Sequence, residues 1–347
     1  MYIKKIIVAV VLLGAIAMGA FAWYVYTMAF SENTAFNNSE AHVFIPTNAS
    51  MADVVEEIEP LVDNINSFVV VADKKQYSSN IKPGHYIIKK GMSNNDIITA
   101  LRSRNIPVNV KFNNQERLED LAQNVSSQIE ADSTSLIQAF RDPEFLKEVG
   151  LTTDTALSLY IPNTYEFYWN SSAKTFRDKM RKEYDNFWNE GRKQKAAALN
   201  LSREEVMSLA AIVQKETAKV DERPRVAGVY LNRLRVGMLL QADPTVIYAL
   251  KKESGDYDQI IKRVLYADLE LDSPYNTYRY PGVPPGPITM PDISSIDAVL
   301  NSEKHDYYYF VADVTNFGYH KFAKNLAQHN ANKAEYVRWV NKQGLKR

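Results

Sequence analysis

The sequence contains no cysteine, which excludes disulfides, thiol nucleophiles and Cys-ligated zinc or iron–sulfur sites. That absence leaves the compartment open, because an exported protein can also lack Cys. Histidine is scarce, with 5 in the chain and no HExxH-like pair, so a histidine-built metal centre is not expected. Neither sign of charge dominates: Lys+Arg 41 against Asp+Glu 41 leaves a net charge of zero. An electrostatic nucleic-acid binder carries a basic excess, so no nucleic-acid partner is expected. Long low-complexity segments and fixed-period repeats are also missing. What remains is an ordinary globular composition, 46% hydrophobic and 24% charged, able to bury a core. A length of 347 residues suggests about two domains plus extras. Tyrosine is abundant in the C-terminal half, and its flat faces serve either core packing or stacking on sugars and bases.

Lys4 and Lys5 precede an uncharged run from Ile6 to Phe30. At about 25 residues it exceeds the roughly 20 that a membrane-crossing helix needs. Trp23, Tyr24 and Tyr26 sit near its far end, where an aromatic belt belongs. The two lysines favour a cytoplasmic N-terminus, with the body of the chain on the other side. A cleaved signal peptide is the competing reading, since Ala20-Phe21-Ala22 resembles a small-x-small site. The length of the run favours a retained anchor over residues 1–30. Residues 31–42 are polar and read as a linker.

Residues 43–106 read as a small α+β unit. His42–Ile45 is strand-like, a short helix follows near Met51–Ile58, and Ser67–Val71 fits either helix or strand. A strand follows the Pro83-Gly84 turn, and Ser93-x-x-Asp96 is a capping box that opens another helix. Strand, helix, helix and strand in this order resemble a LysM-like unit, a fold that binds cell-wall glycans. A generic spacer domain has the same order. Residues 107–347 form a mixed α/β remainder with a strand at Val108–Phe112 and helices at Glu116–Ile129, Asp132–Phe140 and Pro143–Val149. A single long helix is predicted over Phe176–Lys193.

Ser202 and Glu205 form a second capping box, and the helix they open is predicted to run to Lys219. At about 100° per residue, Val206, Leu209, Ile212 and Val213 share a face, and Glu216 points along its middle. Gln214 and Lys215 point away. A carboxyl on an apolar face must be paired or kept neutral by a raised pKa. The second state is what a general acid needs near neutral pH. A structural salt bridge to a buried Arg is the alternative. In the next helix, Glu222, Val226, Tyr230 and Arg233 share a face that either lines a cleft or bridges helices. Asp243 before Pro244 is a good helix N-cap. A Pro/Gly/Tyr-rich loop over 275–288 reads as a binding loop. Asn325 opens a final helix in which Tyr336 and Trp339 are expected to pack inward. His329 on that helix reads as a satisfied structural histidine, since no partner constellation is visible.

Taken in order, the following motifs resemble a known family: 209–218 (LAAIVQKETA), Glu222-Arg223, 229–238 (VYLNRLRVGM), 240–248 (LQADPTVIY), 273–278 (SPYNTY), 282–288 (GVPPGPI), Phe322-x-x-Asn325 and His329-Asn330. The family is the MltG (YceG-like) endolytic murein transglycosylases, and the resemblance spans essentially the whole chain. It implies an α+β protein with an N-terminal transmembrane helix, a small LysM-like subdomain and a mixed α/β catalytic domain. The implied activity is a lyase that cleaves the MurNAc–GlcNAc β-1,4 bond of peptidoglycan without water, leaving 1,6-anhydroMurNAc ends and terminating strand elongation. Glu216, the Glu of the family's Lys-Glu-Thr triplet, is the implied catalytic acid/base. Glu222, Asn232, Asp243, Tyr275 and Asn276 are implied substrate-binding residues. No metal or cofactor is expected. Peptidoglycan glycan strands are the expected partner, with the membrane around a single-pass anchor and cell-wall synthases as candidate protein partners. Two positions depart from the family: Gln214 stands where many relatives have Glu, and Asn163 where they often have Asp. The competing functions are a hydrolase in which Asp243 activates water and a membrane-tethered scaffold without activity.

Overall fold

The computed structural model describes residues 2–343. Helix α1 (Tyr2–Phe30) is the one helix among the described residues long and apolar enough to cross a membrane. None of its residues is buried. Strand β1 (Glu40–Ile45), α2 (Met51–Ile58), α3 (Ile65–Lys74), β2 (Gly84–Lys89), α4 (Asn94–Leu101) and β3 (Pro107–Phe112) follow. The chain continues through α5 (Leu118–Ser126), α6 (Ser133–Phe140), α7 (Pro143–Val149), β4 (Asn163–Tyr168), α8 (Ala173–Phe187) and α9 (Glu190–Ala198). Next come α10 (Arg203–Glu216), α11 (Arg223–Arg235), α12 (Asp243–Ser254), α13 (Ile293–Leu300), β5 (Tyr309–Ala312), β6 (His320–Ala323) and α14 (Leu326–Lys342).

The residues group into two compact units. The first comprises residues 1–110 with two later segments, 126–131 and 165–172. Its centre is the antiparallel β1–β2 pair, in register from Glu40 against Lys89 to Ile45 against Gly84. Val43, Ile45 and Ile88 from that pair meet Val54, Ile58, Phe68, Ile97, Ile98 and Leu101 from the helices, all fully buried. The β1, α2, α3, β2 order matches the order read from the sequence. The ambiguous 67–71 stretch is helical, because Asn64 caps α3 and turns Phe68 and Val71 onto the core. The capping boxes at Ser50/Asp53 and Ser93/Asp96 both form.

The polar stretch expected as a linker is not free chain at its start. Asn33 and Thr34 are buried, and Asn33 Nδ2 donates to Asn94 Oδ1 at 2.7 Å and to the Asn64 carbonyl at 3.1 Å. Polarity there serves internal hydrogen bonds, which composition cannot tell from solvation.

The second unit comprises residues 111–125, 132–164 and 173–347. The long helix expected over 176–193 is two helices, because Asn189 adopts extended backbone and caps α9 while Trp188 is fully buried. Helix α10 lies at the centre of this unit: every residue from Val206 to Val213 is buried. It therefore packs on all sides, more than the single apolar face read from its periodicity. Gln214, which follows this run, is half-buried. Its Oε1 accepts from the Asp292 backbone N–H at 2.5 Å and from Ser295 Oγ at 3.1 Å, tying α10 to the start of α13. On α14, Val340 is the buried residue, and Trp339 instead meets the exposed Phe317 ring at 5.6 Å.

Candidate active site

Helix α10 stops at Glu216, three residues earlier than its pattern predicts. Thr217 turns to extended backbone (φ −140°, ψ 132°) and caps it. The buried Arg223 holds this end: Nε donates to the Thr217 carbonyl at 3.4 Å, and Nη1 to Ser294 Oγ at 2.7 Å. Glu216 thus stands at the negative end of a buried helix, a poor place for a carboxylate. Its side chain opens into a cleft of about 430 Å³ in the second unit.

Helix α11 supplies the facing groups. Tyr230, one turn and a half before its end and 1% exposed, donates from its hydroxyl to Glu216 Oε1 at 2.7 Å. Arg233 donates from Nε to the Tyr308 carbonyl at 2.7 Å and from Nη1 to the Leu240 carbonyl at 2.5 Å. Asn232 donates to the carbonyls of His305 and Tyr307 at 2.8 and 3.0 Å. At the other end of the helix, Glu222 accepts from the His320 backbone N–H at 2.7 Å, with His320 Nδ1 2.8 Å from its second oxygen. One helix thereby fixes both strands of the β5–β6 hairpin, which runs antiparallel with Ala312 opposite His320. The hairpin delivers Tyr309 and Phe310 to the cleft. Helix α11 also needs Gly228, where a Cβ would lie 2.5 Å from the Glu303 carbonyl oxygen.

The third wall is the chain entering α12. Gln241 adopts a left-handed conformation, φ 49°, rare for a residue with a side chain. Its backbone N–H donates to the Thr277 carbonyl at 3.0 Å. Thr277 Oγ1 also accepts from the Ala242 N–H at 3.0 Å and lies 2.8 Å from Thr245 Oγ1, all buried. This network places Asp243, which is the first residue of α12 and not its side-chain cap. The N-cap role expected for Asp243 is therefore vacated, and its carboxylate faces the cleft, accepting from Tyr278 Oη at 2.5 Å.

Burial pushes the Glu216 carboxyl up, and the Asp243 charge adds to it. Against them work the Tyr230 hydrogen bond and the more distant charges of His320 and Arg233, and the balance stands at about 7. Glu222 behaves oppositely. Burial acts upward on it too, but its bonds to the His320 ring and backbone outweigh that and hold its carboxyl below the ordinary value.

Of the six site residues named from the sequence, the cleft brings together Glu216 and Asp243. Glu222 and Asn232 lie outside its lining and anchor the hairpin. Tyr275, 1% exposed, donates through its hydroxyl to Asp154 at 3.2 Å and packs its ring at a tilt against Tyr248. Asn276, fully buried, donates to the carbonyls of Leu269 and Leu271 and accepts from the Tyr278 N–H at 3.0 Å, so it sets the backbone that carries Tyr278. Sequence reasoning missed Gln241, Tyr278, Tyr309 and Lys333 as lining residues. Tyr230 and Arg233 were visible as one helix face, but nothing chose cleft over helix bridge. His329 is corrected: it lines the cleft, with its ring stacked on Tyr309 at 5.2 Å and its buried Nδ1 without a hydrogen-bond partner. Among the described residues no group of three or more His, Asp or Glu is placed to hold a metal ion.

Comparison with known proteins gives a consistent picture. Residues 43–335 match the YceG-like family. A Bacillus subtilis protein named endolytic murein transglycosylase is 29% identical over 280 residues, covering 76% of this chain and 75% of its own length. A Streptococcus pneumoniae protein of the same name is 27% identical, covering 97% of this chain and 66% of the relative. The crystal structure of a yceG-like protein from Listeria monocytogenes superimposes with a TM-score of 0.57 at 28% identity, covering 85% of this chain and 99% of that one.

Proposed function

This chain belongs to the YceG-like family, and from that premise we propose that it is an endolytic peptidoglycan lytic transglycosylase with Glu216 as its acid/base. The observation that carries the site assignment is a carboxyl with a pKa of about 7 at the floor of a polar cleft. A carboxyl in that range can be protonated before reaction and ionised during it.

The reaction is an internal displacement. Protonated Glu216 gives its proton to the glycosidic oxygen as the C1–O bond breaks. The C6 hydroxyl of the same muramoyl sugar attacks C1, and its proton returns to Glu216, closing a 1,6-anhydro ring with no net uptake of water. A glycosidase of the usual kind uses two carboxylates, one of them to activate water or form a covalent bond. Here the nucleophile is already attached to the substrate, so proximity replaces that second function. Tyr230 holds the ionised state of Glu216 by donating to it. Asp243 and Tyr278 are the proposed orienting groups for the sugar, and Tyr309, with His329 stacked on its ring, lines the cleft beside them. Glu222, Asn232, Tyr275 and Asn276 act as positioning residues through the hairpin and the 269–278 loop.

Helix α1 supports a membrane anchor; a single pass with the N-terminus cytoplasmic, read from Lys4 and Lys5, and the two units on the outer side belong to the same proposal. The strand–helix–helix–strand unit is proposed to be a LysM-like glycan-binding module. Domain limits of 1–30, 31–42, 43–106 and 107–347 are proposed with that reading, although β1 begins inside the 31–42 stretch, at Glu40.

Mass spectrometry of digested, purified glycan strands tests the reaction. Anhydro-ended products, lighter by one water than hydrolysis products, are expected. Hydrated ends would move the chemistry to a hydrolase with Asp243 as base.

A further inference from the structure

The cleft that holds Glu216 also collects three basic side chains, Arg233, His329 and Lys333. Arg233 is 7% exposed, and its hydrogen bonds go to the backbone carbonyls of Tyr308, Leu239 and Leu240. Among the described residues, no carboxylate lies within salt-bridge distance of Arg233 or Lys333. A buried guanidinium without a counter-charge is costly to keep. His329 adds an independent signal: a buried ring nitrogen with no partner, on the helix face it shares with Lys333 one turn later. The cleft's own acids do not satisfy this cluster. Asp243 accepts from Tyr278, and Glu216 accepts from Tyr230.

We propose that Arg233, His329 and Lys333 form an anion subsite that takes a carboxylate carried by the muramoyl unit of the substrate. This rests on the lytic transglycosylase reading of the same cleft. With Nε and Nη1 of Arg233 given to carbonyls, its Nη2 and the nearby Lys333 ammonium match a carboxylate in charge, and a neutral imidazole in its Nδ1–H tautomer donates a further bond. Two groups on that sugar carry the chemistry. One is the lactyl carboxylate exposed when the stem peptide is missing. The other is a carboxylate of the stem itself. Either would let the cleft read the state of the stem while Glu216 acts on the glycosidic bond.

The test is binding, which is separable from turnover. Glu216→Gln protein, full length in detergent, is titrated with muramoyl glycan oligomers in three forms: stems intact, stems removed to free the lactyl group, and all carboxylates converted to neutral amides. Lys333→Ala, at an exposed position with a melting control, is added to that background. Dissociation constants for at least one carboxylate form should rise about three- to tenfold, the range of a solvent-accessible charged hydrogen bond. The amidated form should bind weakly and respond no further. Lys333→Arg should restore binding. The form that responds identifies the lactyl or the stem carboxylate as the ligand. Equal changes on charged and amidated oligomers, or no change on any, overturn the subsite. Product mass from the wild-type enzyme decides the reaction separately, so a hydrolytic outcome leaves the binding result intact.

Discussion

Tyr230 donates a 2.7 Å hydrogen bond to Glu216 Oε1, joining the last residue of α10 to the middle of α11. The bond opposes the burial that surrounds both groups. Burial and the Asp243 charge favour a neutral carboxyl, while the phenol favours an ionised one, and the pair leaves Glu216 near 7. Without the Tyr230 bond the carboxyl would stand higher, and without the Asp243 charge lower.

Glu216→Gln should fold and lose activity. The amide is nearly isosteric and its oxygen still accepts from Tyr230. Loss of one positioned acid/base typically costs about 10²–10⁴ in rate. Formation of anhydro ends by purified variant and wild type, with thermal melts as control, checks it. A normally folded variant within a few-fold of wild type would show that Glu216 is not the acid/base.

Activity should depend on protonated Glu216 and fall with rising pH through about 7. The same proton governs stability with a definite sign. Folded Glu216 holds its proton to a higher pH than the ordinary value of 4.5, so between those limits the native state binds more protons than the unfolded one. Stability therefore declines as pH rises across that window. Glu216→Gln removes the penalty and should melt higher than wild type at pH 8, by on the order of 1–2 kcal/mol given the partial exposure of the residue. At pH 4 the difference should vanish. Melting curves at both pH values test the sign.

Tyr230→Phe deletes the one neighbour among the described residues that stabilises ionised Glu216 by a direct bond. The basic limb of the pH–rate profile should move to higher pH, with a lower maximum because the ionised intermediate state loses its donor. Asp243→Asn should move the same limb to lower pH, since a repelling charge is gone. A profile unmoved by both substitutions would detach Glu216 from that limb.

Glu222→Gln is expected to act on folding more than on chemistry. The carboxylate is 4% exposed and holds His320 at the start of β6 by two short bonds. Disturbing such a charged hydrogen bond costs about 1.5–3 kcal/mol. In the wild type its depressed pKa gives stability that is present above the unfolded value and lost as pH falls below it. Denaturant melts should show the loss, while the rate per folded molecule should fall less than for Glu216→Gln.

Much of the candidate site was legible because it rests on local periodicity. The wheel position of Glu216, the Ser202 capping box and the common face of Tyr230 and Arg233 follow from 3.6 residues per turn and from cap chemistry. The placement of Asn232 and Asn276 was not legible. Both stand in motifs that suggest substrate contact, yet their amides satisfy backbone carbonyls 73 to 75 and 5 to 7 residues away. No local pattern distinguishes an amide aimed at a sugar from one aimed at a distant loop.

By itself the sequence determined the apolar first helix, the helices with strong caps, the absence of thiol chemistry and the position of one carboxyl on a buried face. Each of these depends on neighbours within a turn or two of the chain. The tertiary structure alone decided which polar residues meet at that carboxyl. Tyr278 and Asp243 come together because Thr277 on its loop and Thr245 in the first turn of α12 lock two distant segments. Tyr309 arrives because α11 pins a hairpin some 75 residues further on. His329 reaches the same cleft from the final helix, which sequence reasoning had set aside as structural. Long-range contacts of this kind are selected by packing and by satisfaction of buried polar groups, and both are properties of the whole fold.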